Sequence, residues 1–199
     1  MPSRALILAA HGSAGPGYVE VFDWIAARIL GSRPDMDVYV GYLDHCTPRL
    51  HDLPTTGAVV VPMLLGSGYH LDVDIPAAAP DAILAAPIGP DPQLTAIVAD
   101  RLVEAGWTTG MPVTLAAVND SSLSAAAEQL TGRLGVEVTP ALAGSELPGP
   151  AVATYLLAPG HFADVIAGCG APVISAPIGA DPRVADVAMS RYDAALTPF

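Results

Sequence analysis

The sequence predicts an α/β fold in which parallel strands alternate with crossover helices, and three observations predict it. Short apolar runs rich in Val, Ile and Leu recur along the 199 residues, which is typical of strands buried on both faces. Segments between these runs repeat apolar residues at three- and four-residue steps, which is typical of helices with one buried face. The motif Ala-Pro-Ile-Gly-x-Asp-Pro occurs at 86–92 and again at 176–182, with six of seven positions identical.

In the first half, strands are expected near residues 5–10, 38–42, 58–63 and 82–86. A helix is expected between the first two strands because Phe22, Ile25 and Ile29 lie on one helical face, and Gly31 should end it. A second helix is expected over 92–105. Together these elements form one α/β unit.

The second half resembles a shorter copy of the first. Its strands are expected near residues 113–118, 136–139, 152–157 and 172–176. His11 and His70 are 59 positions apart, whereas their counterparts Val118 and His161 are 43 apart, so the second copy lacks about 16 residues. We therefore expect two α/β lobes, 1–110 and 111–199, that face each other across a cleft.

Composition excludes several classes of function. The chain carries 8 basic and 20 acidic residues, a net charge of −12, which disfavours nucleic-acid binding. The most apolar stretch, 53–71, is interrupted by Pro and Gly, so no membrane helix is expected. The apolar run at the N-terminus is too short for a secretory signal, and a cytoplasmic location is expected. Cys46 and Cys169 are too far apart in sequence to suggest a thiolate metal site.

Two histidines follow predicted strands, where the ligands of parallel sheets usually bind. His11 follows the first strand and precedes Gly12 and Ser13, small residues that let a ligand approach the backbone. His70 follows the third strand after a flexible turn, which consists of Gly66, Ser67 and Gly68. Two imidazoles from neighbouring strand ends can bind one divalent metal or move protons near neutral pH.

Asp44 follows the second strand and is the third candidate, either as a metal ligand or general base beside the imidazoles or as a solvated loop residue. His45 and His51, in the same segment, are expected to be surface or helix-end histidines. His161 is the second-half counterpart of His70. It either joins the site of the first lobe or is a remnant of the duplication without a role in the site.

Asp72 and Asp74 follow His70, and one of them is expected to be the N-cap of a helix that is broken at Pro76.

Three segments together resemble the sirohydrochlorin chelatase family of the CbiX and SirB type. They are His11-Gly12-Ser13, the run 62–76 that contains His70, and Gly89-Pro90-Asp91-Pro92, and they keep their order over about 85 residues. The resemblance implies two flavodoxin-like lobes with a tetrapyrrole bound between them.

The resemblance also implies a metal-inserting lyase whose substrates are sirohydrochlorin and a divalent metal, Co²⁺, Fe²⁺ or Ni²⁺, without a permanently bound cofactor, in sirohaem or cobalamin synthesis. It assigns catalysis to His11 and His70, both also metal-handling, and to Asp44, where the family commonly has Glu. The ring would contact Gly12, Ser13, Gly66, Ser67, Gly68 and His161. Nothing in the resemblance decides between a monomer and a homodimer.

The chemistry of the residues fits this reaction. Inserting a metal removes two pyrrole protons, which needs bases with a pKa near 7 and a site that releases the ion. The ring is rich in carboxylates and the chain is acidic, so like charges repel. We therefore expect the acidic side chains to lie away from the cleft, with an arginine such as Arg49 or Arg183 near the rim of the ring.

Other functions fit the sequence less well. A carrier that binds the ring or the metal without turnover uses the same residues and stays open. A phosphoryl-transfer hydrolase built on the strand-end His-Gly lacks an arginine before His11, where Ala10 stands. No GxSxG, P-loop or GxGxxG motif is present.

Overall fold

The computed structural model describes residues 4–197, and its first half alternates parallel strands with helical segments. In chain order these are β1 (Leu6–Ala10), α1 (Tyr18–Ser32), β2 (Val38–Tyr42), a 3-10 turn (Leu50–Asp52), β3 (Val59–Pro62), a π-helical turn (His70–Asp74), α2 (Ile75–Ala78), β4 (Ile83–Leu84) and α3 (Pro92–Glu104). The four strands form one sheet in the order β2-β1-β3-β4, and every neighbouring pair is parallel.

The second half repeats this arrangement. Its elements are β5 (Val113–Ala117), α4 (Leu123–Leu134), β6 (Val138–Leu142), β7 (Ala151–Thr154), α5 (His161–Ala167), β8 (Val173–Ile174) and α6 (Pro182–Ala195). The sheet order is β6-β5-β7-β8, again all parallel. The predicted α/β class and the internal duplication are therefore confirmed.

The contacts of the chain define two compact units whose boundaries differ from the sequence halves. One unit contains the residues up to Gly89 together with those from Ala180, and the other is Pro90–Gly179. Helix α3 packs against α4 and β7, whereas α6 packs against α1 and β3. Each half thus contributes its last helix to the other unit, and a division near residue 110 does not describe the packing. The apolar face of a helix shows that the helix covers a sheet, but not which of two similar sheets.

The repeated motif forms the N-terminus of a helix in both copies. Asp91 and Asp181 accept hydrogen bonds from the backbone N–H groups of Gln93 (2.8 Å) and Arg183 (3.0 Å). Each Asp is therefore an N-cap, and the following Pro occupies the first helical position, where its missing N–H costs no hydrogen bond. The motif starts a helix in each half.

All eight strands lie where they were predicted, but several bounds differ. β4 and β8 have only two residues each, and β7 ends three residues earlier than expected. β6 begins two residues later than expected. Gly135 adopts φ +68 at the end of α4, and the next two residues connect helix to strand. The strand also continues through Pro140. Because β6 lies at the edge of its sheet, a residue without an N–H group is tolerated there.

The core of the first unit lies on both faces of β1 and β3. Ile7, Ala9 and Val60 pack with Leu50 and Ile75, which belong to the helical turns on one face. Residues of β1 alternate in direction, so Leu6, Leu8 and Ala10 point to the other face, and all of them are fully buried. The central strands are therefore fixed, and the side chains at their ends are held on a rigid base.

Within residues 4–197, no helix is both long enough and apolar enough to span a membrane.

Candidate active site

The structure brings His11 and His70 together at the carboxyl ends of adjacent strands. β1 ends at Ala10, immediately before His11, and β3 ends at Pro62, from which a short loop leads to His70. The centroids of the two imidazole rings are 4.5 Å apart, and their planes meet at 74° in an edge-to-face arrangement. Side chains that are 59 positions apart in the sequence therefore share one site.

Hydrogen bonds fix which nitrogen of each ring is free. Nδ1 of His11 lies 2.8 Å from the carbonyl oxygen of Gly12, and Nδ1 of His70 lies 2.5 Å from Oδ2 of Asp74. A carbonyl and a carboxylate only accept hydrogen bonds, so Nδ1 carries the proton in both neutral rings. In both rings the lone pair is therefore on Nε2, where it can bind a metal or accept a proton.

Gly12 brings the ends of β1 and β2 into close contact. Its φ is +101, and a Cβ atom at this position would lie 1.7 Å from the carbonyl oxygen of Asp44. The N–H of Asp44 donates to the carbonyl oxygen of His11 at 2.7 Å. Only glycine fits this contact, and it holds the backbone of His11 in place.

Helix α1 supports the same loop through a partly buried tyrosine. The N–H of Gly12 donates to the hydroxyl oxygen of Tyr18 at 3.1 Å. Burial raises the pKa of Tyr18 to about 12, so the hydroxyl is neutral under ordinary conditions. The predicted ring contact Ser13 also shapes the loop, since its carbonyl oxygen accepts a hydrogen bond from the Cys46 thiol at 3.1 Å.

The turn before His70 has both buried and exposed residues. Gly66 is buried, while Ser67 and Gly68 are exposed. The carbonyl oxygen of Gly68 accepts from the N–H of Leu71 at 2.9 Å and starts the π-helical turn that carries His70. Such turns occur often at functional sites.

The carboxylate of Asp44 is turned towards its own loop. Oδ1 accepts from the N–H of His45 at 2.8 Å and from Nη1 of Arg49 at 3.1 Å. The backbone hydrogen bond from His45, followed by the Arg49 side chain, lowers the pKa of this exposed carboxyl. Within residues 4–197, no group of three or more His, Cys, Asp or Glu side chains is placed to hold one metal ion. The imidazoles are therefore a two-ligand pair in this structure, and a catalytic role for Asp44 stays a prediction.

The two arginines expected near the ring both form ion pairs with aspartates. Arg49 binds Asp44 and also donates to the carbonyl oxygen of Leu43 at 2.9 Å. Arg183 forms an ion pair at 2.9 Å with Asp181, the N-cap of its own helix. Both guanidinium groups stabilise local structure, which their sequence positions did not reveal.

His45 is exposed, as the sequence predicted, and its ring also lies near that of His11. Its ring centroid lies 6.1 Å from that of His11, and its Nε2 lies 3.5 Å from Oδ2 of Asp44. Its φ of 56 is unusual for a residue with a side chain, and such strain is found often at functional sites. The one available signal was its position directly after Asp44, at the end of a strand that neighbours β1.

An open cavity of about 450 Å³ adjoins His70 within the first unit. Its lining consists of Tyr42, Leu43, Asp44, Leu50, His51, His70, Asp74, Ala77 and Ala78. Two of these side chains are carboxylates, so the expectation that acidic groups lie away from the site does not hold here. His51 was predicted to be a surface or helix-end histidine. Its side chain is 66% exposed and lies 3.5 Å from Asp52, which agrees with that prediction.

His161 lies in the other unit, at the first position of α5. Its exposed ring is 5.2 Å from that of Phe162. Val118 follows β5 and takes the position equivalent to His11. The second sheet therefore lacks an equivalent histidine pair, and contact between His161 and a ring substrate stays a prediction.

Comparison with known proteins identifies the family of the chain. The model of the CbiX family matches residues 5–105, which is half of the chain and includes His11 and His70. A sirohydrochlorin cobaltochelatase of Methanococcoides burtonii is 37% identical over 84 residues, which cover 38% of this chain and 64% of that protein. The chain thus spans slightly less than two thirds of the length of this curated relative.

Two solved structures share the fold. A multi-domain protein of Deinococcus radiodurans, described as similar to chelatases, has a TM-score of 0.74 and 19% identity, over 96% of this chain and 55% of that one. The sirohydrochlorin chelatase SirB of Bacillus subtilis subspecies spizizenii, solved with cobalt, has a TM-score of 0.71 and 19% identity, over 97% and 95% of the two chains. The match of the family model across both histidines, together with the duplicated parallel sheets, shows that this chain belongs to the CbiX family.

Proposed function

We propose that this chain inserts a divalent metal ion, Co²⁺ or Fe²⁺, into a sirohydrochlorin-type tetrapyrrole. The observation that carries this proposal is the edge-to-face pair of His11 and His70, with centroids 4.5 Å apart and the lone pair of each neutral ring on Nε2. Membership of the CbiX family and the activity of its cobaltochelatase relative support it.

A pair of imidazoles suits the transfer of a metal better than its storage. Imidazole nitrogen binds Fe²⁺, Co²⁺ and Ni²⁺ with increasing affinity, so the supply of metal selects among them. Closed structural sites hold an ion with four protein ligands, whereas two ligands leave positions open for the pyrrole nitrogens. The ion can therefore pass from the protein to the ring.

The same rings can take the protons that the reaction releases. The tetrapyrrole loses two N–H protons and gains one M²⁺ ion, so its net charge does not change. Nε2 of each neutral histidine can accept one of these protons. Metal and proton transfer both use Nε2, so we propose that they are separate steps or involve different rings.

The test mixes the purified protein with sirohydrochlorin and either Co²⁺ or Fe²⁺ and follows the change in absorbance of the ring. We expect insertion faster than the spontaneous rate, and a loss of this acceleration in the His11→Ala and His70→Ala variants. Circular dichroism of each variant shows that it is folded. Near-normal rates in both variants would refute the roles of this pair.

The assay also decides the second candidate function. A carrier binds the ring or the ion but does not increase the rate of insertion. Carrier function is compatible with the orientation of Asp44, whose carboxylate faces Arg49. Tight binding of sirohydrochlorin with insertion at the spontaneous rate would identify a carrier and contradict the enzymatic proposal.

A further inference from the structure

We propose that Asp74 is a positioning residue, which holds the proton of His70 on Nδ1 and keeps the lone pair of Nε2 directed away from the protein backbone. This inference rests on the proposed function, in which Nε2 of His70 receives a metal or a proton. Asp74 itself need not touch the ring or the ion.

The geometry of the pair carries the proposal. Oδ2 of Asp74 lies 2.5 Å from Nδ1 of His70, a short distance for a hydrogen bond to a carboxylate. The two residues are four positions apart, on one face of the same helical segment. The side chain of His70 is 43% exposed, so the rest of the protein does not confine the ring closely. This hydrogen bond is therefore an important restraint on the orientation of His70.

An ordinary structural role explains the carboxylate less well. Asp74 occupies the N-cap position of α2, as the sequence suggested, but its side chain does not cap the helix. The π-helical turn His70–Asp74 runs directly into α2, so Asp74 has helical φ and ψ angles and its backbone continues the helical path. Its carboxylate contacts His70 instead of the helix end.

The pairing matters because free imidazole has two neutral tautomers. If the proton moves to Nε2, the lone pair moves to Nδ1, on the side of the ring that faces the helical turn. Carboxylates that hold the second nitrogen of a metal-binding histidine fix its tautomer, and their loss costs about 10- to 100-fold in metal affinity or activity. We expect an effect of the same size here.

Nuclear magnetic resonance tests the tautomer without any substrate. Uniformly ¹⁵N-labelled protein is recorded at a pH where imidazole is neutral, and the His70 signals are assigned with a His70→Gln variant. The proposal expects the proton on Nδ1 in the native protein and a shift of population towards Nε2 in Asp74→Ala. A proton on Nε2 of His70 in the native protein overturns the proposal.

Metal binding and kinetics test the consequence. Asp74→Ala should weaken the binding of Co²⁺ alone, measured by calorimetry, by about 10- to 100-fold. It should lower kcat for ring insertion by a similar factor while KM for the ring stays unchanged. Asp74→Glu, which restores a carboxylate, should recover the Nδ1 proton and part of kcat.

The matched control is Asp72→Ala, which removes an exposed carboxylate from the same turn and changes the net charge equally. Equal losses of Co²⁺ affinity in Asp72→Ala and Asp74→Ala overturn the proposal, because they indicate a general effect of charge. Failure of the native protein to insert the metal refutes the proposed function instead, and the tautomer and Co²⁺ affinity still decide the role of Asp74.

Discussion

At the scale of single residues, the site depends on Gly12 as much as on the histidines. Its backbone lies against the carbonyl of Asp44, and its N–H and C=O groups bind Tyr18 and His11. His11 therefore has a fixed backbone and a side chain fixed at Nδ1. The sequence predicted the small turn and both histidines, but it did not predict that the backbone of Asp44 packs against Gly12.

Substitution of Gly12 by Ala should destabilise the protein by at least about 2 kcal/mol, because both the positive φ and the contact with Asp44 exclude a Cβ atom. Gly31 provides the control, since it lies in α1 with no neighbouring atom within 4 Å of an added Cβ. Gly31→Ala should stabilise the protein by about 0.5–1 kcal/mol. Urea unfolding measures both, and a stability loss in Gly12→Ala no larger than that of an ordinary surface substitution would contradict the close contact.

At the scale of elements, α1 does more than cover the sheet. Its first residue, Tyr18, accepts the hydrogen bond from Gly12, while Phe22, Ile25 and Ile29 are buried. The period of the apolar residues predicted this helix and its buried face well. The polar contact of Tyr18 with the site could not be predicted, because a tyrosine at that position fits the apolar pattern equally well.

Tyr18 also predicts how stability changes at alkaline pH. Burial raises its pKa from 10.0 to about 12, so the folded state holds this proton more tightly than the unfolded state. The associated stability is complete below pH 10 and is lost as the pH rises from 10 to about 12.

Tyr18→Phe should remove this part of the alkaline loss. The substitution should also lower the free energy of unfolding by about 1–3 kcal/mol at neutral pH, because the N–H of Gly12 loses its hydrogen-bond acceptor. The free energy of unfolding of both proteins, measured from pH 7 to 12, tests this. Parallel curves for the two proteins would show that Tyr18 does not titrate as described.

Where elements differed from the predictions, the reasons were local. The start of β6 depends on the conformation of Gly135 and on the tolerance of an edge strand for Pro140. Asp74 takes the predicted N-cap position, but its side chain binds His70. In both cases several conformations satisfy the sequence pattern, and tertiary contacts select one of them.

At the scale of the whole molecule, the two halves of the chain exchange their last helices. The unit Pro90–Gly179 is continuous in sequence, while the other unit combines the residues up to Gly89 with α6. The duplicated motif predicted two similar sheets. It could not predict this exchange, because α3 and α6 start with the same cap and both have an apolar face.

The exchange predicts that fragments will differ in their ability to fold. Residues 90–179 alone should unfold cooperatively on heating, because they retain their sheet and helices. Residues 1–89 alone should not, because they lack α6, and joining residues 180–199 to them by a flexible linker should restore cooperative unfolding. Circular dichroism measures all three, and cooperative unfolding of 1–89 alone would contradict the division into units.

A double-mutant cycle on the rate of Co²⁺ insertion into sirohydrochlorin tests most directly whether His11 and His70 act together. If the rings act as one unit, each single change to Ala removes most of the acceleration and the double variant is hardly slower than either. Independent effects that multiply in the double variant, or rates that stay close to native, would contradict the paired site.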